Sequence, residues 1–239
     1  MSDITNIDNL SVDELNQRSF ECELKGNYQD AFKYMEMAVL KGDILSMYYL
    51  GEFYEKGQGI EQNYIKAAEL YEKVARCNEH LVFCGGPLAP QCDAEFALSM
   101  LHEKRLLPNS SNEIAVEWLK KAADDGSASA DIEMAKRYIS GYGLEQDNEK
   151  ALIFLLRATC GCLKKETYPE LFSLCLELLK IFPEDPSLLR YIGSCHEKGR
   201  GTPVSSKKAI EFYEQAESIE KKKWNELKDS LPFDGENPF

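Results

Sequence analysis

Three times in this chain a pair of glycines separated by one residue is followed, at a fixed distance, by an alanine. Gly57 and Gly59 lead to Ala67, Gly141 and Gly143 to Ala151, and Gly199 and Gly201 to Ala209, each alanine eight positions after the second glycine. A spacing kept to the residue specifies a recurring supersecondary unit, and so constrains the fold more tightly than composition does.

The flanks say what the unit is. Seven positions before the first glycine stand Leu50, Met134 and Ile192; six before stand Gly51, Ala135 and Gly193; three before stand Tyr54, Tyr138 and His196. Offsets of three, four and seven line one face of a helix, so a helix precedes each glycine pair. Downstream, Ala67, Leu70, Tyr71 and Val74 match Ala151, Phe154, Leu155 and Ala158, and again Ala209, Phe212, Tyr213 and Ala216. That is a second helix with one apolar stripe.

Two weaker copies align once glycine is not required. One centres on Ala115, with Arg105 and Leu107 at the glycine places, and the other on Ala31, preceded by a capping box at Ser11 and Glu14. Ala31 to Ala67 is 36 positions, Ala67 to Ala115 is 48, Ala115 to Ala151 is 36 and Ala151 to Ala209 is 58. A 36-residue period with insertions of 12 and 22 residues fits all four intervals, and a period of this length means stacked helix pairs.

A glycine pair can also cradle phosphate, but such a loop follows a strand and carries a GxGxxG or GxxxxGK[ST] spacing. Here each pair follows a helix and has neither a third glycine nor a lysine in register. Gly57, Gly59, Gly141, Gly143, Gly199 and Gly201 therefore read as structural turn residues in left-handed conformations. On that reading Gly57→Val costs more than about 1 kcal/mol and Glu55→Ala less than about 0.5 kcal/mol.

The stretch LGEFYEKGQGIEQNYIKAAELYEKVA, Leu50 to Ala75, resembles the Sel-one-like repeat (SLR) family, relatives of the tetratricopeptide repeats, whose pattern reads LGxxYxxGxGVxxDxxKAxxWYxKAAxxG. Leu50, Gly51, Tyr54, Gly57, Gly59, Lys66, Ala67, Tyr71, Lys73 and Ala75 fit it; Tyr138, Gly141, Gly143, Asp147, Lys150 and Ala151 fit it in a second copy; Gly193, Gly199, Gly201, Lys208, Ala209 and Tyr213 fit it in a third. The resemblance implies an all-α, right-handed α/α solenoid of about five repeats, a concave face that binds other proteins, and no catalytic residues. The expected layout is a single solenoid domain over 1–231 with repeats near 11–43, 44–77, 92–126, 127–161 and 186–220, an inserted loop at 77–92, an inserted helix at 166–183 and a flexible tail at 232–239.

Lys and Arg total 28 against 41 Asp and Glu, a net charge of −13. Nucleic-acid phosphates and anionic membranes would meet net repulsion, so neither is expected as a partner, and a protein with a basic or neutral surface is. The first fifteen residues carry acids and no apolar run, and nowhere do some 18 apolar residues occur in succession, so a cytoplasmic chain with reduced thiols is expected.

Candidate sites follow. On the first helices of the repeats, Glu52, Glu55, Glu95, Glu133, Arg137 and Arg190 are charges that packing does not demand, and they are expected to line the partner-binding groove. Cys77, His80, Cys84 and Cys92 could hold zinc as four soft ligands, although spacings of three, four and eight match no tight zinc motif. A Cys84–Cys92 disulfide is the other reading, and some exported SLR proteins are stapled in that way. Cys160 and Cys162 could form a redox or metal pair. Cys22, Cys175 and Cys195 fall on apolar stripes and read as core residues. Asn237, Pro238 and Phe239 resemble the Asn-Pro-Phe ligand of EH domains, a short motif without structural context.

Three function classes remain. The favoured one is a noncatalytic interaction scaffold, monomeric or weakly oligomeric, with no cofactor. A sharper variant is an acidic immunity or inhibitor protein that occludes a basic toxin. The alternative is a zinc or redox protein acting through the Cys77–Cys92 loop. No constellation such as GxSxG supports a hydrolase.

Overall fold

The computed structural model describes residues 7–77, 90–161 and 165–230. Among the described residues there are eleven α-helices and no strands. The pairs are α1 (Val12–Leu24) with α2 (Tyr28–Leu40), α3 (Ile44–Lys56) with α4 (Tyr64–Ala75), α5 (Pro90–Glu103) with α6 (Asn112–Asp124), and α7 (Ala128–Ser140) with α8 (Asn148–Cys160). The inserted helix is α9 (Tyr168–Ile181), and α10 (Pro186–Lys198) pairs with the 25-residue α11 (Ser206–Ser230). Contacts divide the chain into two compact units, Met1–Met134 and Ala135–Phe239.

Local chemistry starts the helices where the sequence places them. Ser11 and Glu14 form a reciprocal capping box, and Asn27, Asp43, Asn63, Ser111, Asp147 and Asp185 each accept a backbone N–H from the first turn they precede. Each such cap is worth about 1 kcal/mol.

The glycine turns are three copies of one geometry. Gly57, Gly59, Gly141, Gly143, Gly199 and Gly201 all have φ between 67° and 75°. In each copy the residue before the second helix donates its backbone N–H to the carbonyl of the aromatic three places before the first glycine: Asn63 to Tyr54 at 2.9 Å, Asp147 to Tyr138 at 2.9 Å and Ser205 to His196 at 2.8 Å. Gln62 and Gln146 reinforce two of the turns by donating to the Glu55 and Ile139 carbonyls. The second glycine also permits a close approach. A Cβ on Gly59 would lie 2.2 Å from the Tyr28 carbonyl oxygen, and one on Gly201 would lie 2.5 Å from that of Tyr168.

Where paired helices cross, the ruler alanines Ala31, Ala67, Ala115 and Ala151 are fully buried and Ala209 nearly so. The facing position is matched to the second helix. Gly51 and Gly193 face Tyr71 and Tyr213, whose rings would stand 2.6 Å and 2.8 Å from an added Cβ. Where the aromatic is replaced by Leu155, the facing residue is Ala135. In the two weaker copies it is a serine, and Ser19 and Ser99 donate their hydroxyls to the Ala31 and Ala115 carbonyls at 3.0 Å and 2.8 Å.

At the tyrosine place of the last repeat, His196 is a packing residue. It stacks on Phe212 at 5.8 Å and meets Phe172 of α9 edge-on at 5.6 Å, so the inserted helix joins the core through it.

Candidate functional site

The first helices α1, α3 and α5 bring an acidic and aromatic face together in the first unit. Ser46, at the start of α3, donates its hydroxyl to Asn16 Oδ1 of α1 at 2.8 Å, which fixes the two helices against each other. On α3, Tyr48 and Tyr49 stand edge to face at 5.5 Å, and Tyr48 also leans on the buried Tyr71 ring at 5.7 Å. Burial raises the Tyr48 and Tyr49 hydroxyls above the ordinary tyrosine range, and the Glu52 and Asp93 carboxylates push both further. Glu23 of α1 is also raised, by partial burial first and by Glu52 second. Three helices thus contribute one carboxylate each, Glu23, Glu52 and Asp93, around two half-buried tyrosines.

The predicted groove residues separate into distinct environments. Glu52 is partly exposed and pairs with Lys56 at 3.2 Å. Glu55 accepts the Tyr71 hydroxyl at 2.8 Å, and Glu197 accepts that of Tyr213 at 3.1 Å at the same repeat position. Glu133 is half-buried. Arg190 is exposed and is clamped to Glu220 of α11, with Nε to Oε1 at 3.1 Å.

Glu95 and Arg137 are corrections. Glu95 is 0% exposed and Arg137 1% exposed, so neither side chain lines an accessible groove. Glu95 Oε1 sits 2.7 Å from Lys121 Nζ, which also donates to the Ala75 carbonyl at the end of α4 at 3.3 Å and lies over the Trp118 ring. Burial pushes the Glu95 carboxyl up to about 7, with Lys121 pulling it down and Asp125 adding to the rise. Part of the signal was in the repeat register: Arg137 occupies the place held by Phe53, Leu101 and Cys195, and Glu95 the place held by Met47, Leu189 and the also buried Asp131. Tyr48 and Tyr49, half-buried on α3, were not singled out in the sequence.

Of the proposed metal set, His80 and Cys84 lie outside the described residues, as do Cys162 and the Asn237-Pro238-Phe239 tail. Cys77 is half-buried. Cys92 is buried and its thiol is pushed up to about 12, which works against the thiolate that zinc ligation or redox chemistry requires. Among the described residues no three His, Cys, Asp or Glu side chains gather as a metal-binding group, and no helix is long and apolar enough to cross a membrane. Cys175 and Cys195 are buried, Cys22 is only half-buried and Cys160 is exposed.

A Sel1 repeat family model matches residues 19–43, 44–79, 92–127, 128–161 and 187–218, most of the chain. The chain belongs to the Sel1 repeat family. The five matched segments correspond to the five helix pairs, and α9 falls in the unmatched stretch between the fourth and fifth. As a Sel1 repeat protein it shares its fold with solved structures of low sequence identity. A Sel1 repeat protein from Oxalobacter formigenes aligns with a TM-score of 0.53 at 16% identity, covering 87% of this chain and 88% of that one. The protective antigen c5321 of uropathogenic Escherichia coli, described as displaying an SLR fold, aligns at 0.53 and 18% identity over 86% of this chain, which spans 45% of the antigen's length. The immunity protein Pa5087 of Pseudomonas aeruginosa aligns at 0.50 and 18% identity, covering 87% and 81% of the two chains. Comparison with curated protein sequences gave no match. Sel1 repeat proteins are typically noncatalytic platforms for protein–protein interaction.

Proposed function

We propose that this Sel1 repeat protein is a noncatalytic scaffold that receives a basic segment of a partner protein on the α1–α3–α5 face. The observation that carries the reading is the convergence of Glu23, Glu52 and Asp93 on Tyr48 and Tyr49. Carboxylates beside half-buried tyrosines favour lysine and arginine, by ion pairing and by attraction of the cation to the aromatic ring. The chain uses the second contact internally, with Lys66 over Tyr54 at 5.0 Å and Lys150 over Tyr138 at 5.5 Å. A net charge of −13 would speed the approach of a basic partner and discourage nucleic acids and anionic membranes. The proposed setting is cytoplasmic, without a cofactor.

The likeness to the immunity protein Pa5087 supports a narrower second reading, in which the partner is a toxin that the acidic face occludes. Both readings are tested by affinity capture from native lysate with the tagged full chain and a Tyr49→Ala/Glu52→Gln variant, at low and high salt, with zinc measured on the same preparation. A basic protein retained at low salt, released at high salt and lost with the variant supports the scaffold. Loss of that protein's toxicity on co-expression singles out the immunity reading. Equal capture by both chains overturns the placement on this face, and one zinc per chain without a partner redirects attention to the cysteine loop.

A further inference from the structure

The last repeat departs from its siblings in charge, and it does so around a cavity. A cleft of about 700 Å³ lies between the start of α9 and the α10–α11 turn, lined by Lys165, Tyr168, Lys198, Arg200, Gly201 and Thr202 among others. Gly201 makes the cleft possible, because its missing Cβ lets the turn rest on the Tyr168 carbonyl. Arg200 lies over the Tyr168 ring at 5.1 Å, and both residues line the cleft. Among the described residues no carboxylate stands within ion-pair distance of Lys165, Lys198 or Arg200.

The other repeats act as an internal control. In the first full turn, Lys56 occupies the place of Lys198 but is neutralised by Glu52 one helical turn back, and Gln58 stands between the glycines. In the last turn the corresponding residues are Ser194 and Arg200, so one acid is lost and one cation gained. The middle copy has Lys136, Ser140 and Tyr142 at the places of Glu52, Lys56 and Gln58, and its one cation there pairs with Glu170 at 3.0 Å. Three cations facing a shared cleft repel one another, and none of the described carboxylates pairs with them there. Beyond about 8 Å the acidic field of the rest of the protein is screened at physiological ionic strength, so the local trio decides what binds.

We propose that this cleft is a binding site for a phosphate group. A guanidinium can engage two phosphate oxygens at once, the two ammonium groups more than offset the remaining charge of a dianion, and the Thr202 hydroxyl, 3.4 Å from His196 Nδ1, is a further donor when that imidazole nitrogen carries the proton. Three cations suit a dianion better than the single charge of a carboxylate. The group can arrive as free phosphate or as a monoester on a larger molecule, and the headgroup chemistry is the same.

The test is an NMR titration of the full chain, following backbone amides at constant ionic strength, with inorganic phosphate in one arm and phenyl phosphate in the other. Saturable shifts confined to residues 165–168 and 198–202 are expected in the millimolar range. Arg200→Gln, which restores the side chain that Gln58 already places in this turn, should weaken binding by about fivefold or more. Should that variant fold poorly, Lys198→Ser, which copies Ser140, serves in its place. Lys56→Gln, outside the cleft, should leave the affinity unchanged. Saturation by both probes marks a headgroup site for free phosphate, and saturation by phenyl phosphate alone marks a site for a monoester. Absence of saturable shifts at these amides, shifts spread over lysines throughout the chain, or an unchanged affinity in Arg200→Gln would overturn the proposal.

Discussion

Gly51, Tyr71 and Glu55 form a coupled set whose members change together along the chain. A Cβ at Gly51 would press on the Tyr71 ring at 2.6 Å, and Tyr71, fully buried, delivers its hydroxyl to Glu55. The last repeat keeps all three as Gly193, Tyr213 and Glu197, and the fourth replaces all three with Ala135, Leu155 and Ile139. Gly51→Ala should therefore destabilise by about 1–3 kcal/mol through overpacking. In a Tyr71→Leu background most of that loss should disappear, which a double-mutant cycle by chemical denaturation measures directly. The same contact corrects the sequence-based expectation for Glu55→Ala. Removing the acceptor of a buried hydroxyl costs about 1–2 kcal/mol, not the few tenths expected of a surface charge. Turn glycines and the Ser11–Glu14 cap were legible in the sequence because they answer to local backbone geometry. The burial of Glu95 and Arg137 was legible only through repeat register, because composition alone assigns charged side chains to solvent.

Helix ends and helix contacts carry the next set of expectations. In the Ala115 repeat, Arg105 stands at the first glycine place with φ of 54°, the left-handed conformation that its siblings reach with glycine. Arg105→Gly should raise stability by up to about 1 kcal/mol in thermal melts, because the folded backbone already has the shape that an L residue resists. Within the α4–α5–α6 layer, Lys121 ties Glu95 to the end of α4. The Glu95 carboxyl titrates near 7 when folded against an ordinary 4.5, so the folded chain resists an ionisation that the unfolded chain accepts freely. Its contribution to stability is greatest below about 4.5 and is lost as pH rises to about 7. Glu95→Gln removes that dependence, so its melting temperature should gain on the wild type across this interval. A constant difference between the two melting curves would contradict the raised carboxyl. The insertion helix α9 was legible from its amphipathic run and the proline after it. Its docking through Phe172 onto His196 was not, because a partner 24 residues away leaves no local trace.

At the scale of the whole molecule, five degenerate repeats supply one fold, and their differences supply the chemistry. The shared positions set the helix pairs, which is why the period alone predicted them. The positions that vary between repeats place Tyr48, Tyr49 and three carboxylates on the first helices of one unit, and three cations in a cleft of the other. An acidic, aromatic face should bind through charge as well as area, so the affinity for a basic partner should fall by about tenfold or more between low and physiological salt. The most direct measurement replaces Tyr49 with a photo-crosslinking residue and, in a second chain, does the same at Ile65, exposed on α4. The account predicts a covalent adduct with a basic protein from position 49, suppressed by salt, and none from position 65. Adducts from position 65 alone, or equally from both, would contradict a partner held on the α1–α3–α5 face.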